Sequence, residues 1–95
     1  MEDERVRNII WTENGRESLK EVYDFVSCKS KKAAKIIKND ILKEVSEIVF
    51  INQYQLDEIE PSFRRIIVRD YKILYFSIRN TICISRVYST KTKPK

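Results

Sequence analysis

Residues 63–75 read FRRIIVRDYKILY, two runs of β-branched and aromatic residues that are separated by Arg69-Asp70. Such runs are typical of β-strands, and a break this short between them is typical of a β-hairpin. A third run follows a second short break, Arg79-Asn80, where asparagine tolerates the positive φ of a tight turn. The C-terminal third is therefore predicted to form three antiparallel strands, over residues 64–69, 71–78 and 81–88.

The two faces of this predicted sheet differ in chemistry. Successive side chains of a strand point to opposite faces, so the middle run divides into Tyr71, Ile73 and Tyr75 on one face and Lys72, Leu74 and Phe76 on the other. We expect the face with Tyr71 and Tyr75 to pack in the core. In the last run Ile84 and Val87 are out of phase, which predicts a β-bulge near Ser85-Arg86.

The first part of the chain contains a short strand and then a helix. Residues 6–12, a run with two isoleucines and the single tryptophan, are predicted to form the strand, with Asn14-Gly15 as the break after it. Either Thr12 or Asn14 can cap the helix that follows. Its apolar residues recur at the i, i+3, i+4, i+7 spacing of an amphipathic helix and are Leu19, Val22, Tyr23 and Val26.

A second helix is predicted after the break at Lys29-Ser30, with Ser30 as its N-cap. Two helices joined by so short a break are expected to form an antiparallel hairpin. The inward positions are Ala33, Ala34, Ile37, Ile41, Val45 and Ile48. The opposite face is expected to be a solvated surface and carries Lys31, Lys32, Lys35, Lys38, Lys43 and Glu47.

The predicted order of elements is β-α-α-β-β-β, an α+β fold in which a helix hairpin packs on a mostly antiparallel four-stranded sheet. Residues 51–61 are acidic and have no sustained period, so they are expected to form a loop. The chain is expected to be a single domain over residues 1–95, with flexible ends at 1–5 and 92–95. Because no element is left to cover the second face of the sheet, that face is expected to stay at least partly open.

The composition excludes several kinds of chemistry. The chain has no histidine, which removes the commonest metal ligand and general acid–base group. Cys28 and Cys83 are too few for a zinc site and are expected to be free, buried thiols, so we expect neither a metal nor a cofactor. The N-terminus is acidic and no aliphatic or aromatic run exceeds four residues, so we expect no membrane span and a cytoplasmic location.

Positive charge is concentrated in the last third of the chain. The formal net charge is +5, from 19 Lys and Arg against 14 Asp and Glu. Residues 61–95 contain nine basic residues against Asp70 alone, whereas residues 51–60 contain three acids and no base. This distribution indicates a basic sheet that binds nucleic acid or an acidic partner, with a basic face kept for solubility as the alternative.

Taken in order, several segments resemble the RelE/ParE superfamily of toxins from bacterial type II toxin–antitoxin systems. They are Ile9-Ile10-Trp11-Thr12, Ala33-Ala34, residues 63–75, and the ending RVYSTKTKP at residues 86–94, which has Lys91 where the family usually has Arg. The resemblance covers about residues 8–95 and implies the fold predicted above. It also implies a partner, a cognate antitoxin whose acidic C-terminal segment wraps the toxin, and a toxin–antitoxin hetero-oligomer.

One branch of this superfamily is enzymatic. RelE-like members cleave mRNA at the ribosome, and the resemblance to them implies catalytic roles for Arg64, Lys72 and Lys91. Lys72 stands where RelE has a catalytic Arg, and no tyrosine follows Tyr88 to supply the C-terminal catalytic tyrosine of that branch. A ribosome-dependent mRNA endonuclease therefore stands as the first alternative function.

The other branch, resembling ParE, binds DNA gyrase and performs no chemistry of its own. That mode needs a binding surface and no acid–base pair, which suits a chain without histidine. The spacing of Arg64, Tyr71 and Tyr75 also looks more like ParE than RelE. We therefore predict a ParE-like toxin that inhibits growth by binding an essential target such as DNA gyrase, with a non-toxic antitoxin-binding protein as the second alternative.

The residues predicted to contact the target or the antitoxin lie in the basic third and are Arg65, Arg69, Arg86, Tyr88 and Lys93. Arg64 and Arg65 are adjacent in a strand and point to opposite faces. One of them is expected to reach the open face, and the other to pair with an acid of the preceding loop, Asp57, Glu58 or Glu60.

Overall fold

The computed structural model describes residues 4–91, which contain two helices and four strands. In chain order they are β1 (Asn8–Trp11), α1 (Glu13–Ser27), α2 (Lys31–Ser46), β2 (Arg64–Val68), β3 (Tyr71–Ile78) and β4 (Thr81–Ser89). The predicted α+β fold and its order of elements are confirmed, although β1 is shorter than the predicted residues 6–12. Within the described part of the chain, neither helix has the length and apolar character needed to cross a membrane.

The four strands form one mixed sheet in the order β1-β4-β3-β2. β2 with β3 and β3 with β4 are antiparallel, whereas β1 is parallel to β4. The chain leaves β1 at one edge of the sheet, passes through both helices and returns as β2 at the other edge. This long crossover carries the helix hairpin over one face of the sheet, so that face becomes the core face.

The core lies between the helix hairpin and this face. Tyr75 is fully buried, as predicted, and Tyr71 packs half-buried against the same cluster. Burying one large apolar side chain stabilises the fold by about 1.5–3 kcal/mol. The other large side chains that are fully buried in this cluster come from α2 and all three C-terminal strands, and are Ile41, Ile66, Ile73, Ile82 and Ile84.

The predicted bulge is confirmed in β4. Tyr75 lies opposite Ile84, whereas the preceding Leu74 lies opposite Arg86, which leaves Ser85 as the extra residue. A bulge of this kind shifts the phase of a strand by one residue. It therefore allows both Ile84 and Val87 to face the helices although three positions separate them.

The two hairpin turns carry the residues with positive φ in the described chain: Arg69 at 55°, Arg79 at 50° and Asn80 at 67°. In the β3–β4 turn both central residues, Arg79 and Asn80, have positive φ. This is the pattern of a type I′ turn, whose twist matches that of the flanking strands. Asn80 was expected to adopt this conformation. Arg79 shares it, so a residue without the conformational freedom of glycine or asparagine also occupies the left-handed region here.

The prediction that the single glycine of the chain lies in a break after the first strand is wrong. Gly15 is not part of a break after β1 but lies buried in the first turn of α1, where a Cβ atom would come within 2.3 Å of the Ile84 carbonyl oxygen. Thr12 is the N-cap, and its hydroxyl accepts a hydrogen bond from Gly15 N–H (3.0 Å) while donating one to the Ile84 carbonyl (2.8 Å). Glycine is therefore required because the helix backbone touches β4 directly.

The second face of the sheet is partly open, as predicted, because Ile67 and Arg86 are exposed on it, but a loop covers another part of this face. This loop (residues 51–63, the covering loop) begins on the helix-facing side, where Tyr54 packs against Tyr75, and reaches the second face further along. There the Phe63 and Phe76 rings pack edge to face with centroids 5.9 Å apart. Leu74 and Cys83 also lie on this face and are buried. The loop therefore covers part of the second face as well as connecting α2 to β2.

Two further predictions concern the burial of the cysteines and the flexibility of the chain ends. Cys83 is buried as expected, but Cys28 is exposed at the C-terminal end of α1. Of the ends predicted to be flexible, residues 1–3 and 92–95 lie outside the described residues, and Glu4 and Arg5 form backbone contacts with Ile51 and Phe50, respectively.

Candidate functional site

A buried ion pair joins the covering loop to β3. The Lys72 ammonium lies 2.8 Å from Asp57 Oδ1, and the Asp57 side chain has no exposed surface. The other carboxylate oxygen accepts hydrogen bonds from the backbone N–H groups of Ile59 (3.1 Å) and Glu60 (2.9 Å). Asp57 thus satisfies three donors and fastens the loop to the sheet.

These contacts shift the pKa of both partners. Burial by itself raises the pKa of Asp57, but the hydrogen bonds from Lys72 and from the backbone of Glu60 and Ile59 outweigh it, so that the pKa lies below its usual range. The hydrogen bond to Asp57 raises the pKa of Lys72, against the opposite effect of burial. Both groups are therefore charged at neutral pH, and Lys72 is poorly suited to accept a proton from a substrate.

Two of the predicted binding residues lie beside this ion pair. Tyr88 is opposite Lys72 in the sheet, with its ring centroid 5.8 Å from the Lys72 nitrogen and 5.9 Å from Arg86 Cζ. Cations at this distance are attracted to the face of an aromatic ring. Arg86 is exposed and Tyr88 half-buried, so together with Lys72 they form a basic, aromatic patch on the second face (the Tyr88 patch).

Arg64 and Arg65 both hold the covering loop, but neither does so through an acid. Arg64 donates a hydrogen bond to the Tyr54 carbonyl (2.7 Å), and Arg65 donates to the Leu56 carbonyl (2.9 Å) and the Gln55 side chain (3.2 Å). The expectation that one of them pairs with Asp57, Glu58 or Glu60 is therefore wrong, since Lys72 takes that role.

Two further predicted residues form ion pairs at the surface. Arg69 lies 2.6 Å from Asp40 on α2, and Lys91 lies 3.3 Å from Asp70 in the β2–β3 turn. Both pairs are well exposed, so each stabilises the fold by at most about 1 kcal/mol. Lys93 lies outside the described residues.

The three residues implied for ribonuclease catalysis are not brought together on one surface. Arg64 lies opposite Tyr75, on the helix-facing side of the sheet, whereas Lys72 lies opposite Tyr88 on the second face. Lys91 follows the end of β4 and is paired with Asp70. Nor do residues 4–91 contain a group of three or more cysteine or carboxylate side chains that could hold a metal ion.

A groove of about 620 Å³ lies between β1 and the two helices, and sequence reasoning did not find it. Its apolar wall is formed by Ile10, Trp11, Leu19, Tyr23 and Leu42, and its charged residues are Arg16, Lys20 and Lys38. None of the described residues that line it is acidic. The available signal was the pair Arg16 and Lys20, which are four residues apart and so share a face of α1 beside Leu19.

Fold and surface together describe a small α+β protein with a basic, aromatic patch on the sheet and an apolar groove with basic residues beside the helices. Residues 9–94 match the family described as the ParE toxin of the type II toxin–antitoxin system parDE, so the chain belongs to that family. Among solved structures, a chain of the chromosomal ParDE toxin–antitoxin system from P. aeruginosa is similar, with a TM-score of 0.71 and 18% sequence identity.

The structural likeness extends over nearly the whole of both chains, covering 88% of this chain and 96% of the P. aeruginosa chain. At this level of identity it shows the fold, a helix hairpin on a mixed four-stranded sheet, and the family match adds the class of toxin. The comparison with curated proteins found no significant match.

Proposed function

We propose that this ParE-family protein inhibits growth by binding an essential target such as DNA gyrase, and that it performs no chemistry on that target. The observation that carries the proposal is the commitment of the candidate catalytic cations. Arg64 is bonded to a loop carbonyl, Lys72 to a buried carboxylate and Lys91 to Asp70. Cleavage of RNA would need such groups to converge on one phosphate and one hydroxyl.

Binding, in contrast, needs only exposed groups held in a fixed arrangement. The Tyr88 patch provides a half-buried ring with two cations within 6 Å of its centroid, Lys72 and Arg86. Aromatic and arginine side chains in such settings dominate the binding energy of protein interfaces. We therefore assign Arg86 and Tyr88 to contact with the target.

We further propose that the cognate antitoxin docks its acidic C-terminal segment in the groove of α1, α2 and β1, forming a hetero-oligomer. The similar solved structure is of a toxin–antitoxin system. An apolar wall with Trp11 and Tyr23 is bordered by Arg16, Lys20 and Lys38, with no carboxylate among the described lining residues. Such a groove is complementary to an amphipathic acidic segment. The toxin would then carry its target surface and its antitoxin surface on different faces.

The target is tested with purified protein and DNA gyrase in a plasmid supercoiling assay, with trapped cleaved DNA as the second readout. We expect inhibition by the native protein, and weaker inhibition by Arg86→Ala and Tyr88→Ala. Arg7→Ala is the matched control, because Arg7 is also exposed but precedes β1 at the other end of β4. Absence of any effect at excess protein would contradict gyrase as the target.

The same preparation separates the alternatives. Codon-linked mRNA cuts in primer extension, abolished by Arg64→Ala or Lys91→Ala, would instead establish a ribosome-dependent nuclease. Normal growth on expression, with neither activity, would establish a non-toxic binding partner. Co-expression of the neighbouring antitoxin should restore growth to cells that make the native toxin or Lys43→Glu, but not to cells that make the groove variant Lys20→Glu.

A further inference from the structure

The helix hairpin carries a second basic region that averaging over longer segments conceals. Residues 25–38 contain five lysines and no acidic residue. Asp24 and Asp40 flank this stretch, and Asp40 is engaged by Arg69. We call the five side chains the hairpin lysines: Lys29, Lys31, Lys32, Lys35 and Lys38.

The hairpin lysines differ from three cations of the sheet and its ends, Arg69, Lys72 and Lys91 (the sheet cations), each of which has an acidic partner. In the part of the chain that the structure describes, none of the hairpin lysines lies within 4 Å of a carboxylate, whereas the sheet cations all do. All five are exposed. Their positive charge is therefore available to a partner molecule at no cost in internal ion pairs.

Their arrangement is a line along one side of α2. Lys31, Lys35 and Lys38 follow the i, i+4, i+7 spacing, which keeps them on one side of the helix over a length of about 10 Å. Lys29 lies in the turn before α2, and Lys32 lies next to Lys31. A linear set of flexible ammonium groups is suited to a polyanion whose charges also repeat along a line.

The aromatic residues nearby do not offer a free stacking surface. The Lys29 nitrogen lies 5.5 Å from the centroid of the Phe25 ring, and the Lys38 nitrogen lies 5.5 Å from that of Tyr23. Stacking with unpaired bases would have to displace a lysine from each ring. The arrangement therefore favours contacts with backbone phosphates over contacts with bases.

The tip of the helix hairpin, which is the turn between α1 and α2 at residues 28–30, is also remote from the β3–β4 turn. α1 starts beside Ile84, and further along it the Ser18 hydroxyl accepts a hydrogen bond from Val87 N–H, so α1 runs in the direction of β4. Its C-terminal end thus lies towards the end of β4, and Arg79 lies at the opposite end, before β4 begins.

We propose that the hairpin lysines bind the phosphate backbone of a nucleic-acid duplex, independently of its sequence. Duplex DNA carries about one negative charge per 1.7 Å of axis, and lysines that contact it release condensed counterions. This binding does not depend on the proposed target, and of the two lysines substituted in its test neither lines the groove proposed for the antitoxin, although Lys38 does. In a toxin that acts on a protein already bound to DNA, it would hold the toxin at its site of action.

The test is fluorescence anisotropy of a short labelled DNA duplex of mixed sequence, titrated with the purified protein over about 0.05–0.2 M salt. We expect the logarithm of the binding constant to fall linearly with the logarithm of salt concentration. Lys31→Gln with Lys35→Gln should weaken binding and make this slope shallower by about 2, since each phosphate contact contributes about 0.9. An RNA duplex of the same sequence tells which nucleic acid is preferred.

The charge-matched control is Arg7→Gln with Arg79→Gln, which removes two exposed charges at the opposite end of the molecule. It should leave both the affinity and the slope close to native. Equal weakening by both double variants would overturn the proposal in favour of net charge, and an unchanged affinity of the lysine variant would overturn it outright. Because gyrase is absent from this assay, either result leaves the proposed target to its own experiment.

Discussion

The sheet and the helix hairpin are both basic, but they use their charge in opposite ways. On the sheet, Lys72 and Arg69 are held by carboxylates. On the hairpin, the lysines have no carboxylate within 4 Å among residues 4–91. Three of the nine basic residues in the C-terminal third are thus paired with carboxylates, whereas none of the five hairpin lysines is paired among residues 4–91.

This difference follows from the position of the acidic loop. Residues 51–60 carry three acids immediately before the sheet, and folding brings Asp57 of that loop under Lys72. Within residues 4–91, no acidic segment pairs with the hairpin lysines in this way. The comparison shows that net charge along a chain locates a binding surface only after the internal ion pairs have been subtracted.

The largest effect on stability is expected from removal of the ion pair between Asp57 and Lys72. Asp57→Ala leaves Lys72 without its carboxylate and detaches the covering loop, so we expect the free energy of unfolding to fall by about 3–5 kcal/mol. Urea denaturation, followed by far-UV circular dichroism, measures the loss.

The matched substitution on the hairpin should do almost nothing to stability. Lys31→Gln with Lys35→Gln removes two charges without partners, and we expect a change within about 0.5 kcal/mol. A comparable loss in the two variants would mean that the sheet cations are no more committed to the fold than the hairpin lysines are.

A smaller effect is expected where the two regions meet. Gly15→Ala would place a methyl group against the Ile84 carbonyl and disturb the Thr12 cap, so we expect a loss of about 1–3 kcal/mol. In an ordinary helix interior the same change is stabilising by roughly 0.5–1 kcal/mol. The sign of the change in thermal unfolding therefore tests the contact directly.

The neighbouring Asn14 is the control for this prediction. It lies in the same first turn of α1 but is exposed. Asn14→Ala should leave the melting temperature nearly unchanged. A Gly15→Ala protein as stable as the native one would show that α1 has room to move away from β4.

Lowering the pH is expected to reduce the stability of the fold by less than Asp57→Ala does. Because the pKa of Asp57 is lower in the folded protein than its value of 3.8 in a model compound, its ionised form stabilises the fold fully above that pH. The contribution is lost as pH falls through the folded-state pKa. The loss should be smaller than in Asp57→Ala, since a protonated carboxyl keeps its size and part of its hydrogen bonding.

Denaturation between about pH 7 and pH 3 measures this dependence, with Asp57→Asn as the comparison. The amide is neutral throughout, so the native and variant proteins should converge in stability as the pH falls. Parallel curves over that range would show that Asp57 does not titrate with folding.

Much of the fold could be predicted because its signals are local. The alternation around Ile73 and Tyr75, the phase change between Ile84 and Val87, and the caps Thr12 and Ser30 all depend on residues within one or two turns or strands. Each of these interpretations is confirmed. The chain therefore carries its secondary structure and its core face in short, mutually consistent patterns.

The candidate site was less predictable because its contacts join distant parts of the chain. Nothing near Lys72 in the sequence shows that Asp57 will meet it, and nothing near Gly15 shows that the Ile84 carbonyl will lie against its Cα. The groove likewise combines Trp11 with Leu42 and exists only once the hairpin has packed beside β1.

Composition and periodicity alone thus specify a histidine-free, basic α+β protein with the element order of the ParE family. Tertiary packing decides which of its cations are available, because an ion pair forms only between side chains that the fold brings within about 4 Å. On the sheet, Asp57 of the acidic loop neutralises the charge of Lys72. Among residues 4–91, no carboxylate lies close enough to the hairpin lysines to pair with them.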